Sequence, residues 1–292
     1  MAMGTIIRLT LISSQKVANK ASEKALANIS KLEKDFDHRI PYGSTGKINI
    51  NAGICPVSVS NECFSLIKRA IKFCEISKGV FDITIGTYST VDNYYTKDFD
   101  NTNKNKINYR LIQINETEKT VFLPEKGMAI DLGGLAKGTI IDNAAMILKS
   151  SGIKKGIVEA GGDFYCFGNK EWKIGIMHPR SNNIIGCIYV KEKGVCGSGD
   201  YYQYEIEDKS KNLRKHHIIN PFNMKSANKS IGVTVISESA EIADALATTL
   251  FIMGYKKGKN FLQKNYPESS ALWVLPDLSI IKTDNFPDFI KD

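Results

Sequence analysis

Along the first part of the chain, apolar residues return twice at helical spacing. Val17, Ala21, Ala25, Ile29, Leu32 and Phe36 recur every three or four positions and predict a long helix over about 14–36. Phe64, Ile67, Ile71 and Cys74 define a second helix over about 61–77, with Gly79 just past its end as a terminator. Residues 5–12 read as an opening strand. Val80 to Gly86 predicts a tight turn into a short strand, and the Asn-, Asp-, Lys- and Tyr-rich residues 87–110 read as an irregular surface segment. Short strands are expected at 111–114, 120–123 and 128–131, the last feeding Gly133-Gly134 and a helix over 136–149. Ile157-Val158-Glu159-Ala160 then leads into Gly161-Gly162-Asp163 and a β-rich stretch, with strands near 164–168, 172–177, 186–191, 194–198, 201–206 and 215–219. Tyr202, Tyr204 and Ile206 alternate as one half-buried strand face would. A strand at 231–236, a helix at 239–253 closed by Gly254, a short helix near 255–264 and strands at 270–274 and 278–283 complete the chain. The pattern predicts a mixed α/β (α+β) fold with substantial antiparallel sheet and helices packed on it.

Charge narrows the ligand class. Lys and Arg total 39 against 31 Asp and Glu, a formal net charge of +8, but the lysines are spread along the chain instead of clustering with aromatics. That distribution argues against a nucleic-acid partner and leaves room for a small phosphate-bearing ligand. The 6 cysteines form no Cys-x-x-Cys pair and no histidine pair has zinc-like spacing, so buried free thiols in a reducing compartment are expected. No apolar run reaches membrane-spanning length. As it stands the sequence reads as cytoplasmic. Met1-Ala2 ahead of Met3 is compatible with a lost export signal, which would make the protein extracytoplasmic or membrane-anchored.

Four constellations carry candidate chemistry. Asp131-Leu132-Gly133-Gly134-Leu135-Ala136-Lys137-Gly138 is a strand end, a glycine turn and a helix start. Glycines let backbone N–H groups approach an anion, the helix N-terminus adds unpaired donors, and Lys137 adds a charge. Packing alone explains such a turn equally well, and the spacing fits neither a Walker loop nor a dinucleotide fingerprint. Asp244 and Thr248 are one helical turn apart among Ala243, Ala245, Leu246, Ala247, Leu250 and Phe251. A carboxylate there wants a partner or a metal, and oxygen donors suit Mg²⁺, although a solvent-facing Asp has the same spacing. In His216-His217-Ile218-Ile219-Asn220-Pro221, adjacent strand histidines point to opposite faces, so at most one enters a common site, and an ordinary surface histidine is the commoner case. Gly194 to Tyr201 reads by itself as a hairpin turn. Its glycines and Ser198 could also place donors near phosphates, and nothing in the sequence activates Cys196.

In order along the chain, these segments resemble the FAD:protein FMN transferases of the ApbE family. The resemblance rests on Met3-Gly4-Thr5, Asn51-Ala52-Gly53, Gly79 to Gly86, Asp131 to Gly138, Gly161-Gly162-Asp163, Gly197 to Tyr201, His217 to Pro221 and Asp244 to Thr248. It implies one T-fold-related flavin-transferase domain over 1–292, two-lobed, with FAD in the cleft. It implies FAD as substrate, with contacts from Met3, Tyr42, Val80, Phe81, Asp82, Asp131, Lys137, Ser198, His217 and Ile218. It also implies Mg²⁺ held by the Gly134 carbonyl, the Asp244 carboxylate, the Ala247 backbone and the Thr248 hydroxyl. The implied reaction moves FMN from FAD to a Thr or Ser hydroxyl of an acceptor flavoprotein and releases AMP, with His217 or Asp244 serving as base. Asn220 stands where the family usually has Asp, and Gly197 where it usually has Thr. The alternatives are an FAD pyrophosphatase giving FMN and AMP, a non-catalytic FAD-binding protein, and an unrelated basic nucleic-acid binder.

Overall fold

The opening strand is β1 (Ile7–Leu11), and the stripe behind it forms α1 (Gln15–Phe36). Ala21, Ala25, Ile29, Leu32 and Phe36 are buried, but Val17 is 39% exposed, so the apolar face fades toward the N-terminus of α1. The computed structural model describes residues 3–90, 101–201, 204–208 and 213–290. Next come α2 (Ser44–Ile50), β2 (Val57–Ser58), α3 (Asn61–Ile76), α4 (Gly86–Ser89), β3 (Gln113–Asn115) and β4 (Thr120–Phe122). Then follow α5 (Gly133–Ser150), β5 (Gly156–Ala160), β6 (Asp163–Phe167), β7 (Trp172–Met177), β8 (Ile184–Val190) and β9 (Lys193–Gly199). The last elements are β10 (Tyr204–Asp208), β11 (Leu213–His216), β12 (Ile219–Asn220), β13 (Lys225–Ser226), β14 (Gly232–Ser237), α6 (Ala240–Met253), α7 (Tyr255–Asn265), β15 (Ser270–Val274) and β16 (Ile280–Lys282). Among the described residues, no helix is long and apolar enough to cross a membrane.

The chain divides into two compact units. The first comprises Met1–Lys31, Lys137–Tyr201 and Lys229–Asp292. Its frame is a sheet in the order β1-β5-β6-β9-β14-β15-β16, antiparallel at every pairing. Trp172, Ile174 and Ile176 of β7 and Ile188 and Val190 of β8 join Val195, Ile236, Leu272 and Val274 in one core, so the β7–β8 hairpin covers one face of that sheet. Helix α6 packs on β9 and β14. The period of two in a strand divides β9 accordingly. Val195 enters the hairpin core, whereas the Cys196 thiol donates to the Ala240 carbonyl of α6 at 3.4 Å. β15 is buried at every position, which is why Ala271 to Val274 is apolar without alternation.

Helices α5 and α6 meet closely within this unit. A Cβ on Gly138 would lie 2.3 Å from the Ala240 carbonyl oxygen, closer than atoms can approach. Asp142 of α5 accepts from the Ala240 and Glu241 N–H groups at 2.9 Å each, and Ser239 accepts from Ile242 N–H at 3.2 Å. The N-terminus of α6 is thus capped from its own chain and from the neighbouring helix.

The second unit comprises Leu32–Ala136 and Tyr202–Asn228. α3 starts on Ser60, whose hydroxyl accepts from Cys63 N–H at 2.9 Å, and ends before Gly79 at a φ of +78°, as its terminator role requires. The Asp35 carboxylate accepts from Ser44 N–H at 3.0 Å and also from the Ser60 hydroxyl, linking the end of α1 to the starts of α2 and α3.

Several expectations need correction. Ile83–Ile85 form a 3-10 turn running into α4, not a strand. Residues 128–131 belong to no sheet, because side chains take the ladder's place. The Asn49 amide bonds both Ile130 N–H (2.8 Å) and Ile130 C=O (2.9 Å), and Thr87 Oγ1 accepts from Ala129 N–H at 3.2 Å. Asp131 N–H donates to the Ile83 carbonyl at 2.8 Å. α5 begins at Gly133, earlier than 136, since Asp131 accepts from Gly133 N–H at 2.8 Å and caps the helix. The strand expected over 215–219 is broken at His217 between β11 and β12. Tyr204 and Ile206 are both exposed, so β10 has no half-buried face there, and Tyr202 lies outside the described residues.

Gly138→Ala is expected to force α5 and α6 apart. Helix propensity returns at most about 1 kcal/mol, and overpacking against backbone leaves a net loss of about 1–3 kcal/mol. A urea midpoint at or above that of the wild type would contradict the close approach.

Candidate active site

Within the first unit, the apolar surroundings of α6 determine the behaviour of Asp244. Ala243, Ala245, Leu246, Ala247, Leu250 and Phe251 are fully buried, and Asp244 itself is 4% exposed. The solvent-facing alternative for this residue is therefore excluded. Its Oδ2 accepts from Gly138 N–H at 3.0 Å. Burial pushes the Asp244 carboxyl well above the usual carboxylate range, Lys137 pulls it back in part, and Asp163 pushes it further up. One turn on, the Thr248 hydroxyl lies 3.3 Å from the Ser198 hydroxyl of β9.

Lys137 forms an ion pair with Asp163 at the start of β6. Burial disfavours its ammonium, but Asp163 and then Asp244 more than compensate and hold its pKa above the usual lysine value. Asp163 is 1% exposed, and its Oδ1 accepts from Gly197 N–H of β9 at 2.8 Å. Cys196 is buried beside these groups. Burial, then Asp163 and Asp244, push its thiol far up, so it is structural and not a nucleophile. All 6 cysteines are free, and only Cys55 is exposed.

The second unit holds another group of expected residues. Asp131 accepts from Gly133 N–H, from the Ser89 hydroxyl at 2.7 Å, and has His38 Nδ1 at 3.7 Å from Oδ1. Burial would raise the Asp131 carboxyl, but His38, Gly133 and Ser89 outweigh it and bring it to about 2. His38 is raised in turn, by its hydrogen bond to Asp131 first, against burial. Asp82 is used locally: Oδ1 accepts from Thr84 N–H (2.9 Å) and the Thr84 hydroxyl (2.6 Å), and Oδ2 from Tyr109 N–H (3.1 Å). Phe81 is buried edge-on to Phe73, with ring centroids 5.1 Å apart, next to half-buried Val80. Tyr42 is 65% exposed.

The two histidines separate cleanly. His216 is buried, with Nε2 2.8 Å from the Ala227 carbonyl and Nδ1 accepting from Ile218 N–H at 3.2 Å, which fixes a neutral Nε2–H tautomer. His217 is half-buried beside it, with ring centroids 6.3 Å apart. Asn220 Oδ1 accepts from Phe222 N–H at 3.0 Å, a turn contact that Asn and Asp make equally. At Gly197 an added Cβ would meet only ordinary contacts, 3.7 Å from the Val233 carbonyl, so the position accepts a side chain.

The first unit thus brings together Lys137, Ser198, Asp244, Ala247 and Thr248. The second contains Tyr42, Val80, Phe81, Asp82, Asp131, Gly134, His217 and Ile218. Met3 stands at the edge of the first unit with a φ of +54°. Two residues beyond the expected set emerge. Asp163 was visible in the Gly161-Gly162-Asp163 motif, but its pairing with Lys137 was not. Nothing in the local sequence marks His38.

This arrangement has close counterparts among known proteins. The protein similar to it from Thermotoga maritima, an ApbE protein of known crystal structure, superposes with a TM-score of 0.88 at 31% identity, covering 98% of this chain and 96% of the other. The flavin transferase ApbE of Vibrio cholerae shares the fold, with a TM-score of 0.83 at 22% identity over 97% and 94% of the two chains. Relatives named FAD:protein FMN transferase include one from Treponema pallidum (strain Nichols), 25% identical over 100% of this chain and 87% of its own length. Another, from Klebsiella pneumoniae (strain 342), is 30% identical over 80% and 75%. The ApbE family model matches residues 3–273. Fold and sequence place the protein in the class of mixed α/β proteins that these structures define. The chain belongs to the ApbE family.

The His38–Asp131 pair predicts a pH dependence. His38 is raised in the folded state, so its stabilisation is complete below the ordinary histidine value of 6.5 and is lost as pH rises through the folded value. His38→Gln should therefore lower the urea midpoint more in mildly acidic than in alkaline buffer. An equal effect at both ends of that range would contradict the pair.

Proposed function

We propose that the protein transfers FMN from FAD to a Thr or Ser hydroxyl of an acceptor flavoprotein, releasing AMP, with Mg²⁺ as cofactor. The observation that carries this beyond family membership is the Asp244 carboxylate, buried in an apolar helix one turn before Thr248. The residues fit a hard divalent cation. The donors are carboxylate and hydroxyl oxygens, and Asp244, Asp163 and Glu241 outnumber the single ammonium of Lys137. Asp244, Thr248 and the carbonyls of Gly134 and Ala247 would hold Mg²⁺, which supplies positive charge against the pyrophosphate when bound.

The chain's own residues then divide the work. Lys137, fixed as an ammonium, offers permanent positive potential to phosphate oxygens, with Ser198 as a hydroxyl donor nearby. Met3, Tyr42, Val80, Phe81, Asp82, Asp131 and Ile218 are assigned to FAD binding by their place in the family motifs. His217 is assigned the acceptor's proton, because both ring nitrogens of His216 are engaged by backbone. The acceptor oxygen bonds to the FMN phosphorus, the pyrophosphate bond breaks, AMP leaves, and the hydroxyl proton passes to His217.

Incubation with FAD, Mg²⁺ and a candidate acceptor should add an FMN mass to a Thr or Ser of that acceptor. AMP release at the same rate without any acceptor would show hydrolysis instead. Asp244→Asn should reduce transfer roughly 100-fold or more, since it removes the buried charge while keeping the shape. Wild-type transfer by that variant would overturn the metal assignment.

A further inference from the structure

In the first unit the half-buried Lys137 ammonium lies close to two buried carboxylates, those of Asp163 and Asp244. One ammonium cannot serve two carboxylates equally, and here its partner is Asp163. The reason lies in the sheet. Asp163 opens β6, and its Oδ1 is fixed by Gly197 N–H at 2.8 Å, so Oδ2 is presented to Lys137 in a set direction. Asp244 acts on the same ammonium from outside that ion pair. Its own hydrogen-bond partner is the Gly138 N–H at 3.0 Å, a neutral donor that brings no countercharge.

We propose that Asp163 is a positioning residue that holds Lys137 away from Asp244 and so keeps the Asp244 carboxylate open to a cation. This rests on the reading of Asp244 as a metal-holding group. Without Asp163, the half-buried ammonium turns to Asp244, whose carboxylate already touches the N–H of the next residue, Gly138. Lys137 then competes with the metal for Asp244. Asp163 differs in this from a scaffold residue, whose loss would weaken the fold without creating a rival for the metal.

The test is Mn²⁺ uptake by the whole protein with ADP present, read as loss of the free-ion electron paramagnetic resonance signal, so that no turnover is involved. Asp163→Asn keeps an acceptor for Gly197 N–H and removes only the charge. It is expected to weaken Mn²⁺ binding roughly tenfold or more. The double variant Asp163→Asn/Lys137→Met removes the displaced ammonium as well, and is expected to regain Mn²⁺ affinity to within roughly threefold of wild type while remaining deficient in FMN transfer. Wild-type affinity in Asp163→Asn overturns the proposal. So does a double variant as weak as the single one, because the defect would then be structural. Failure of the wild-type protein to bind Mn²⁺ at all would instead overturn the metal reading on which the proposal rests.

Discussion

A carboxylate buried in the middle of an apolar helix is the constraint around which the site is arranged. Asp244 occupies a position where an unpaired charge is strongly disfavoured, and the groups near it respond to that penalty. α5 approaches α6 so closely that only glycine fits at 138, and that approach brings the Gly138 N–H to Asp244. The same helix carries Lys137 into the neighbourhood, where Asp163 and Asp244 keep it charged. Asp142, one turn further along α5, caps the first N–H groups of α6 and locks the two helices in register. Packing, capping and electrostatics therefore depend on a single helix crossing.

The sheet contributes the other side of the balance. β6 and β9 are neighbours, and Asp163 of one accepts from Gly197 of the other. β9 turns Cys196 and Ser198 toward α6 while Val195 enters the opposite core. A strand with alternating duties explains why the Gly194–Tyr201 segment looked like a turn in sequence. Gly194 is small because Ala240 and Ser239 approach it and Gly199 because the Tyr201 ring does, and small residues in series imitate a loop.

Much of this was legible in the sequence because it is local. The spacing of Asp244 and Thr248 on an apolar helix, the glycine turn before Lys137 and the two long amphipathic helices all depend on neighbours a few positions apart. What escaped depends on distant partners. Residues 128–131 have strand-like composition, but Asn49 and Thr87 occupy the places of neighbouring strands. The start of α5 shifts because Asp131 caps it, and Asp131 is steadied by His38, far away in sequence. The adjacent histidines could be separated only by seeing His216 bound at both nitrogens.

In the function proposed above, burial and a single neutral N–H at its Oδ2 make Asp244 the group that would hold the cation. The most direct measurement is anomalous scattering from crystals grown with Mn²⁺ and ADP, collected at the manganese edge. A manganese peak is expected within bonding distance of the Asp244 carboxylate and the Thr248 hydroxyl. A well-diffracting crystal with manganese bound elsewhere, and Lys137 paired directly to Asp244, would contradict it.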